Sequence, residues 1–217
     1  TMRDHYTWVG VSNWKTSRVN KAVQTAKSNT SLLPPMINSP YFSLFEMSPT
    51  VTIHSGGVQV KHSEMMDPNF QKGILIMPYS ALGGFPIIDK GTAAQGGKDA
   101  WENAKKVAKS LDNNNDRYWG NVYEAVFTKA NEGRFYRVHK ISQQFRLENK
   151  QYTIDQWLNA YVLAHPRTDL LAVGPIKQAH IDRTADAIVL AKALRKRPDI
   201  LTWLYSGKID ELHKIPA

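Results

Sequence analysis

Four apolar, β-prone runs, each followed by a stretch of helical periodicity, constrain this chain more than any other feature. Tyr6 to Val11 reads as the first strand, with Ser12-Asn13 as its exit turn. Lys15 to Lys27 then carries Val19, Ala22, Val23 and Ala26 at helical spacing. Pro35 to Asn38 is a short second strand, and a helix is predicted between Gly57 and Met66. Gly73 to Tyr79 is the third and clearest strand. Asp169 to Val173 is the fourth, with a helix over Ile181–Leu194 behind it. Such alternation implies parallel strands, because a parallel neighbour is reached only through a crossover and never by a tight turn. Val9–Trp14, Ile74–Gly84 and Leu170–Pro175 also end in small polar residues or glycine. That is the pattern of strands that deliver a ligand-binding loop at their carboxyl ends.

The remainder fits one domain, the natural reading for 217 residues, spanning 1–217. A polar insertion runs over about 85–116, with Gly91, Gly96, Gly97 and Asn113-Asn114-Asn115, and Lys98–Leu111 inside it is helical in period. Further helices are predicted over Trp119–Asn131 and Arg134–Phe145. Thr153 and Gln156 form a capping box ahead of Trp157–His165, and Pro198–Ile209 reads as a last helix broken at Gly207.

Charge and cysteine content narrow the partners. The formal charge is +9, yet the cations are dispersed, and the clusters Lys105-Lys106 with Lys109 and Arg195–Arg197 are too short for a nucleic-acid tail. No nucleic-acid partner is expected. The chain has no cysteine, which excludes disulfides and thiolate-bound metals and permits an intracellular compartment, cytoplasmic or organellar. No apolar stretch approaches the roughly 20 residues of a membrane span, and no signal peptide is expected from the residues ahead of the first strand. The opening Thr1-Met2 reads as a domain cut from something longer. Gly91 to Lys98 comes nearest to a P-loop, but Gly97 intervenes before the lysine and Asp99 stands where Ser or Thr is needed. His62, Glu64, His139 and His165 are not spaced as metal ligands, so no metal is expected.

Gly10-Val11-Ser12-Asn13-Trp14, Pro35-Met36-Ile37-Asn38-Ser39-Pro40-Tyr41, Tyr79-Ser80-Ala81-Leu82 and Gly174-Pro175-Ile176-Lys177 occur in a fixed order along the chain. In that order they resemble the fifth- to eighth-strand signatures of the aldo-keto reductase family, nearest the branch with the potassium-channel beta subunits. The resemblance covers Val9 to about Ala191 and implies an α/β fold: the carboxyl-terminal half of a (β/α)8 TIM barrel, four parallel strands with crossover helices. It implies an NADP(H)-dependent oxidoreductase of small carbonyl substrates. Ser12 and Asn13 would hold the nicotinamide carboxamide, and Tyr79 would stack on the ring. Ser80, Leu82 and the backbone through Gly83-Gly84 would face the pyrophosphate. Lys177, His180, Arg183 and Thr184 occupy the adenosine-binding positions, and the two cations suit a 2′-phosphate.

The chain departs from that pattern at several positions. Ser39 stands where the family has the Gln that grips the carboxamide, and Ala81 replaces a usual Pro. His180, Arg183 and Thr184 replace a common Gln, Glu and Asn. The family's Tyr, Lys, Asp and His belong to the first four strand ends, so no catalytic residue is assigned, and Tyr6, Tyr41 and Tyr79 sit in no matching motif. A half barrel exposes two strand edges, which implies an amino-terminal half barrel or another protein subunit as partner. The alternative is a noncatalytic structural or regulatory subunit of a larger assembly. Plainer readings also stand beside each residue: Ser12-Asn13 as a helix cap, Tyr79 as a core aromatic, Lys177 and Arg183 as solvated charges, His180 as a surface histidine.

Overall fold

A computed structural model describes residues 2–49, 57–85, 98–111 and 118–208. In chain order they form α1 (Met2–His5), β1 (Gly10–Ser12), α2 (Thr16–Ser28), β2 (Ile37–Ser39), α3 (His62–Met66) and β3 (Leu75–Ile76). These are followed by α4 (Lys98–Leu111), α5 (Tyr118–Val126), α6 (Lys129–Gln144), α7 (Ile154–Ala164), α8 (Gln178–Leu194) and α9 (Pro198–Ser206). Of the insertion expected at about 85–116, only Phe85 and α4 fall within the described residues.

The strands pair in the order β1-β2-β3, all parallel. Val11, Asn38 and Ile76 share one register row, and Gly10, Ile37 and Leu75 the next. The segment predicted as the fourth strand lies beside β3 in a parallel sense, Leu170 N donating to Ile76 O (3.2 Å) and Ala172 N to Pro78 O (2.9 Å). It is not a strand, because the Asp169 carboxylate accepts the Ile76 N–H (2.8 Å) that a strand carbonyl would take. Arg167 pins the approach by donating to Phe70 O (2.6 Å) and Ile74 O (2.7 Å).

The first strand also differs from expectation. Met2–His5 is a helical turn, and strand structure begins only at Gly10. Pairing starts where a neighbour exists, at the Met36 N–H bond to Val9 O (2.8 Å), and Tyr6 and Trp8 precede it, exposed by 61% and 62%. Their β propensity therefore has no ladder to join.

Packing is one-sided. Asn38 and Ile76 are fully buried on the row that faces the helices, whereas Leu75 on the opposite row is 41% exposed. The sequence alone predicts Val11, Leu75 and Met77 as inward-facing apolar residues, but Val11 shares the row of Asn38 and Ile76 and borders α2. α7 is buried nearly all round, only Asp155 and Leu163 reaching partway out. That marks an interior helix. Trp157, Leu158 and Tyr161 on it are fully buried, each contributing about 1.5–3 kcal/mol through area removed from water. Among the described residues no helix is long and apolar enough to cross a membrane.

Candidate functional site

The carboxyl ends of the three strands are tied to one another by side chains. As the chain leaves β1, Asn13 turns into the left-handed region (φ 57°), which Asn tolerates better than most residues. Its N–H donates to Ser39 O (3.1 Å), and Ser12 Oγ donates to the same carbonyl (2.9 Å). Ser39 Oγ in turn donates to Met77 O (2.7 Å). Asn13 Oδ1 accepts from Tyr79 Oη (2.8 Å) and from Val58 N (3.1 Å). The Ser12 and Ser39 hydroxyl protons are thus committed to backbone, leaving each Oγ as an acceptor. Asn13 Nδ2 carries no hydrogen bond among the described residues, which leaves it available as a donor. Ser12-Asn13 is not a helix cap, for α2 begins behind Lys15 with no side-chain cap. Tyr79 meets Tyr41 edge to face at 6.0 Å. Burial raises the Tyr79 hydroxyl pKa, against an opposing pull from Asn13.

Beyond Tyr79 the chain makes two tight turns, Gly83 N donating to Ser80 O (2.9 Å) and Phe85 N to Leu82 O (2.8 Å). Ser80, Gly83 and Gly84 all have positive φ (58°, 49°, 93°). Gly83 has a second reason to be glycine: a Cβ there would lie 2.3 Å from Ser43 Oγ. The loop is thereby pressed onto the core, with Ser43 Oγ donating to Ala81 O (2.9 Å). Consecutive turns of this sort gather backbone N–H groups into a concavity suited to an anion.

Against this loop opens a cleft of about 1070 Å³, at the upper end for small-molecule sites, roughly 300–1,000 Å³. Its walls are the 79–85 loop, α6, residues 151–155 with the start of α7, residues 172–175, and His180, Arg183 and Thr184 on α8. Of the residues that the resemblance assigns to a cofactor, Tyr79, Ser80, Leu82, His180, Arg183 and Thr184 line it. Ser12, Asn13 and Ser39 do not line it and connect to it through the Asn13–Tyr79 bond. Lys177 lies outside its wall, exposed at the N-cap of α8. Two lining residues are occupied locally: Thr184 Oγ1 donates to His180 O (2.8 Å), and His180 Nδ1 accepts from Ile176 N (3.4 Å).

Arg183 is paired, although its side chain is 43% exposed. Its Nε donates to Asp155 Oδ2 (2.9 Å), joining α8 to the first turn of α7. Asp155, Tyr152, Asn159 and His139 also line the cleft and carry no motif. The signal for Asp155 lay inside the capping box, where Thr153 N does donate to Gln156 Oε1 (2.9 Å). Burial lowers the pKa of His139, which favours its neutral ring in this wall. Away from the cleft, His165 Nε2 lies 2.9 Å from His62 Nδ1, a buried pair that sequence spacing did not suggest. Among the described residues no group of three or more potential ligands could hold a metal.

The residues of the parallel strands, the turn loop and the cleft fall within the span that a comparison with known families matches. The model of the Aldo/keto reductase family matches residues 7–196, and the chain belongs to that family. No curated protein matches it.

Proposed function

We propose that this chain is the dinucleotide-holding, carboxyl-terminal half of a (β/α)8 barrel, an oxidoreductase unit that uses NADP(H) on small carbonyl substrates. The observation that carries this is the set of side-chain ties joining Ser12, Asn13, Ser39 and Tyr79 at three adjacent strand ends. The donor set fits a nicotinamide. Its amide N–H groups would meet the Ser12 and Ser39 oxygens, its carbonyl the Asn13 Nδ2, and the Tyr79 ring would cover one face. The 80–84 turns fit a pyrophosphate, and Lys177 and Arg183 a 2′-phosphate. When bound, the nicotinamide supplies the hydride. The chain's own residues orient it.

Proton donation to the carbonyl oxygen falls to groups at four further strand ends, contributed by an amino-terminal half barrel or another subunit. Two observations support such a partner: the apolar Leu75 stands exposed on the face a closed barrel would fill, and Leu170 and Val173 are exposed at the opposite edge from β1. Within this reading residues 1–217 are one domain, allied to the potassium-channel beta branch and placed inside the cell. A noncatalytic structural or regulatory subunit of a larger assembly is the second reading. The engagement of Ser39 by Met77 and of Thr184 by His180 favours it, since both hydroxyl protons are spent inside the fold.

The test is nicotinamide absorbance with an aromatic aldehyde and with a quinone, with and without an added amino-terminal half. Turnover only on complementation is expected, since general-acid help is commonly worth about 100- to 10,000-fold. Turnover by this chain alone would overturn the division of labour. Dinucleotide binding with silence in both arms would favour the noncatalytic structural or regulatory subunit.

A further inference from the structure

On α7 only Asp155 and Leu163 reach partway out of the core, and Asp155 does so at the wall of the cleft. Both of its oxygens are engaged. Thr153 Oγ1 donates to Oδ1, and Arg183 Nε donates to Oδ2 at 2.9 Å. The neighbouring carboxylate, Asp186, pairs instead with Lys150 (2.7 Å) and accepts from Gln156 Nε2 (3.2 Å). Asp155 and Arg183 therefore form a fixed unit in the cleft wall.

The contact grips the guanidinium by its Nε edge. Its two Nη nitrogens carry no hydrogen bond among the described residues, and they are the pair that takes a phosphate bidentately. Held so, Arg183 is oriented and partly neutralised at once. The same carboxylate that aims the Nη pair repels any phosphate the pair would take, and a half-exposed cleft screens that repulsion only partly.

Resting on the dinucleotide reading above, the geometry points to Asp155 as the residue that sets how strongly the cleft prefers a 2′-phosphorylated dinucleotide over an unphosphorylated one. It acts through Arg183, as a positioning residue and an opposing charge. Asp155→Asn separates the two roles, because the amide oxygen still accepts from Nε while the charge is gone. Asp155→Ala removes both.

The experiment is calorimetric titration of the intact protein carrying this chain with adenosine 2′,5′-bisphosphate and with 5′-AMP. Asp155→Asn is expected to tighten the bisphosphate about fivefold, the scale of one partly screened charge, and to leave 5′-AMP within about twofold. Asp155→Ala should tighten it less, since Arg183 is then no longer aimed. In an Arg183→Gln background, where no Nη pair holds the 2′-phosphate beside the carboxylate, Asp155→Asn should shift the ratio of the two affinities by less than it does with Arg183 in place. An unchanged or lowered ratio in Asp155→Asn would overturn the inference. A wild-type protein that binds neither probe would overturn the dinucleotide reading and this one with it.

Discussion

Asn13 serves three elements from one side chain and one unusual backbone angle. It takes the Tyr79 hydroxyl and the Val58 N–H on one oxygen at φ 57°. Asn13→Ala strands both donors and adds backbone strain, so a loss of about 2–4 kcal/mol is expected in urea unfolding. A loss below about 1 kcal/mol would show that water replaces the amide at little cost. At Gly83 the positive φ and the approach of Ser43 act together, and Gly83→Ala should cost more than Gly84→Ala, whose Cβ would meet Val126 Cγ1 at 3.2 Å. The buried His62–His165 pair makes stability depend on pH. Desolvation lowers the His165 pKa from 6.5 to about 3, opposed by its bond to Tyr161 O. The unfolded chain then takes up a proton that the folded one refuses. Stability from this residue is present above pH 6.5 and falls as the pH drops toward 3, the loss reaching about 2 kcal/mol by pH 5. Unfolding midpoints of the wild type and His165→Gln should diverge with rising pH, and parallel curves would refute the assignment.

Among the elements, helices were the most legible. α4 occupies the range read from periodicity, Lys98–Leu111, and α8 ends at Leu194 as expected while starting earlier, at Gln178. α6 begins at Lys129 behind a Thr128 cap, so the stretch read as one helix to Asn131 splits at Phe127-Thr128. Nothing in spacing marks that break, because the apolar stripe continues across it. Strands were legible in sense and place but not in extent, since a ladder ends where its neighbour does. α9 stops at Ser206 with Gly207 as C-cap, the predicted break. Its end is held by Arg137 on α6, which donates to Leu204 O (2.8 Å), Tyr205 O (2.7 Å) and Gly207 O (3.0 Å). These are the carbonyls a helix end leaves unpaired. Arg137→Met should cost about 3 kcal/mol, with hydrogen exchange of the α9 amides accelerated more than that of α7.

For the whole molecule, the sequence pointed to side chains that share a cleft but not to the contacts between them. The order of motifs located six of the cleft-lining side chains, but Asp155 pairs with Arg183 across 28 positions, a distance no local pattern spans. The same wiring has a consequence for descent. Ser12, Ser39 and Asn13 brace the sheet whether or not a ligand lies above them, so replacing any of them harms folding before it harms chemistry. Purifying selection on stability alone would keep these letters in place. A lineage that abandoned catalysis would go on displaying the signature of a working enzyme, and the first mutations to record the change would accumulate at positions such as 180 and 184, whose side chains line the cleft but tie no two strands together.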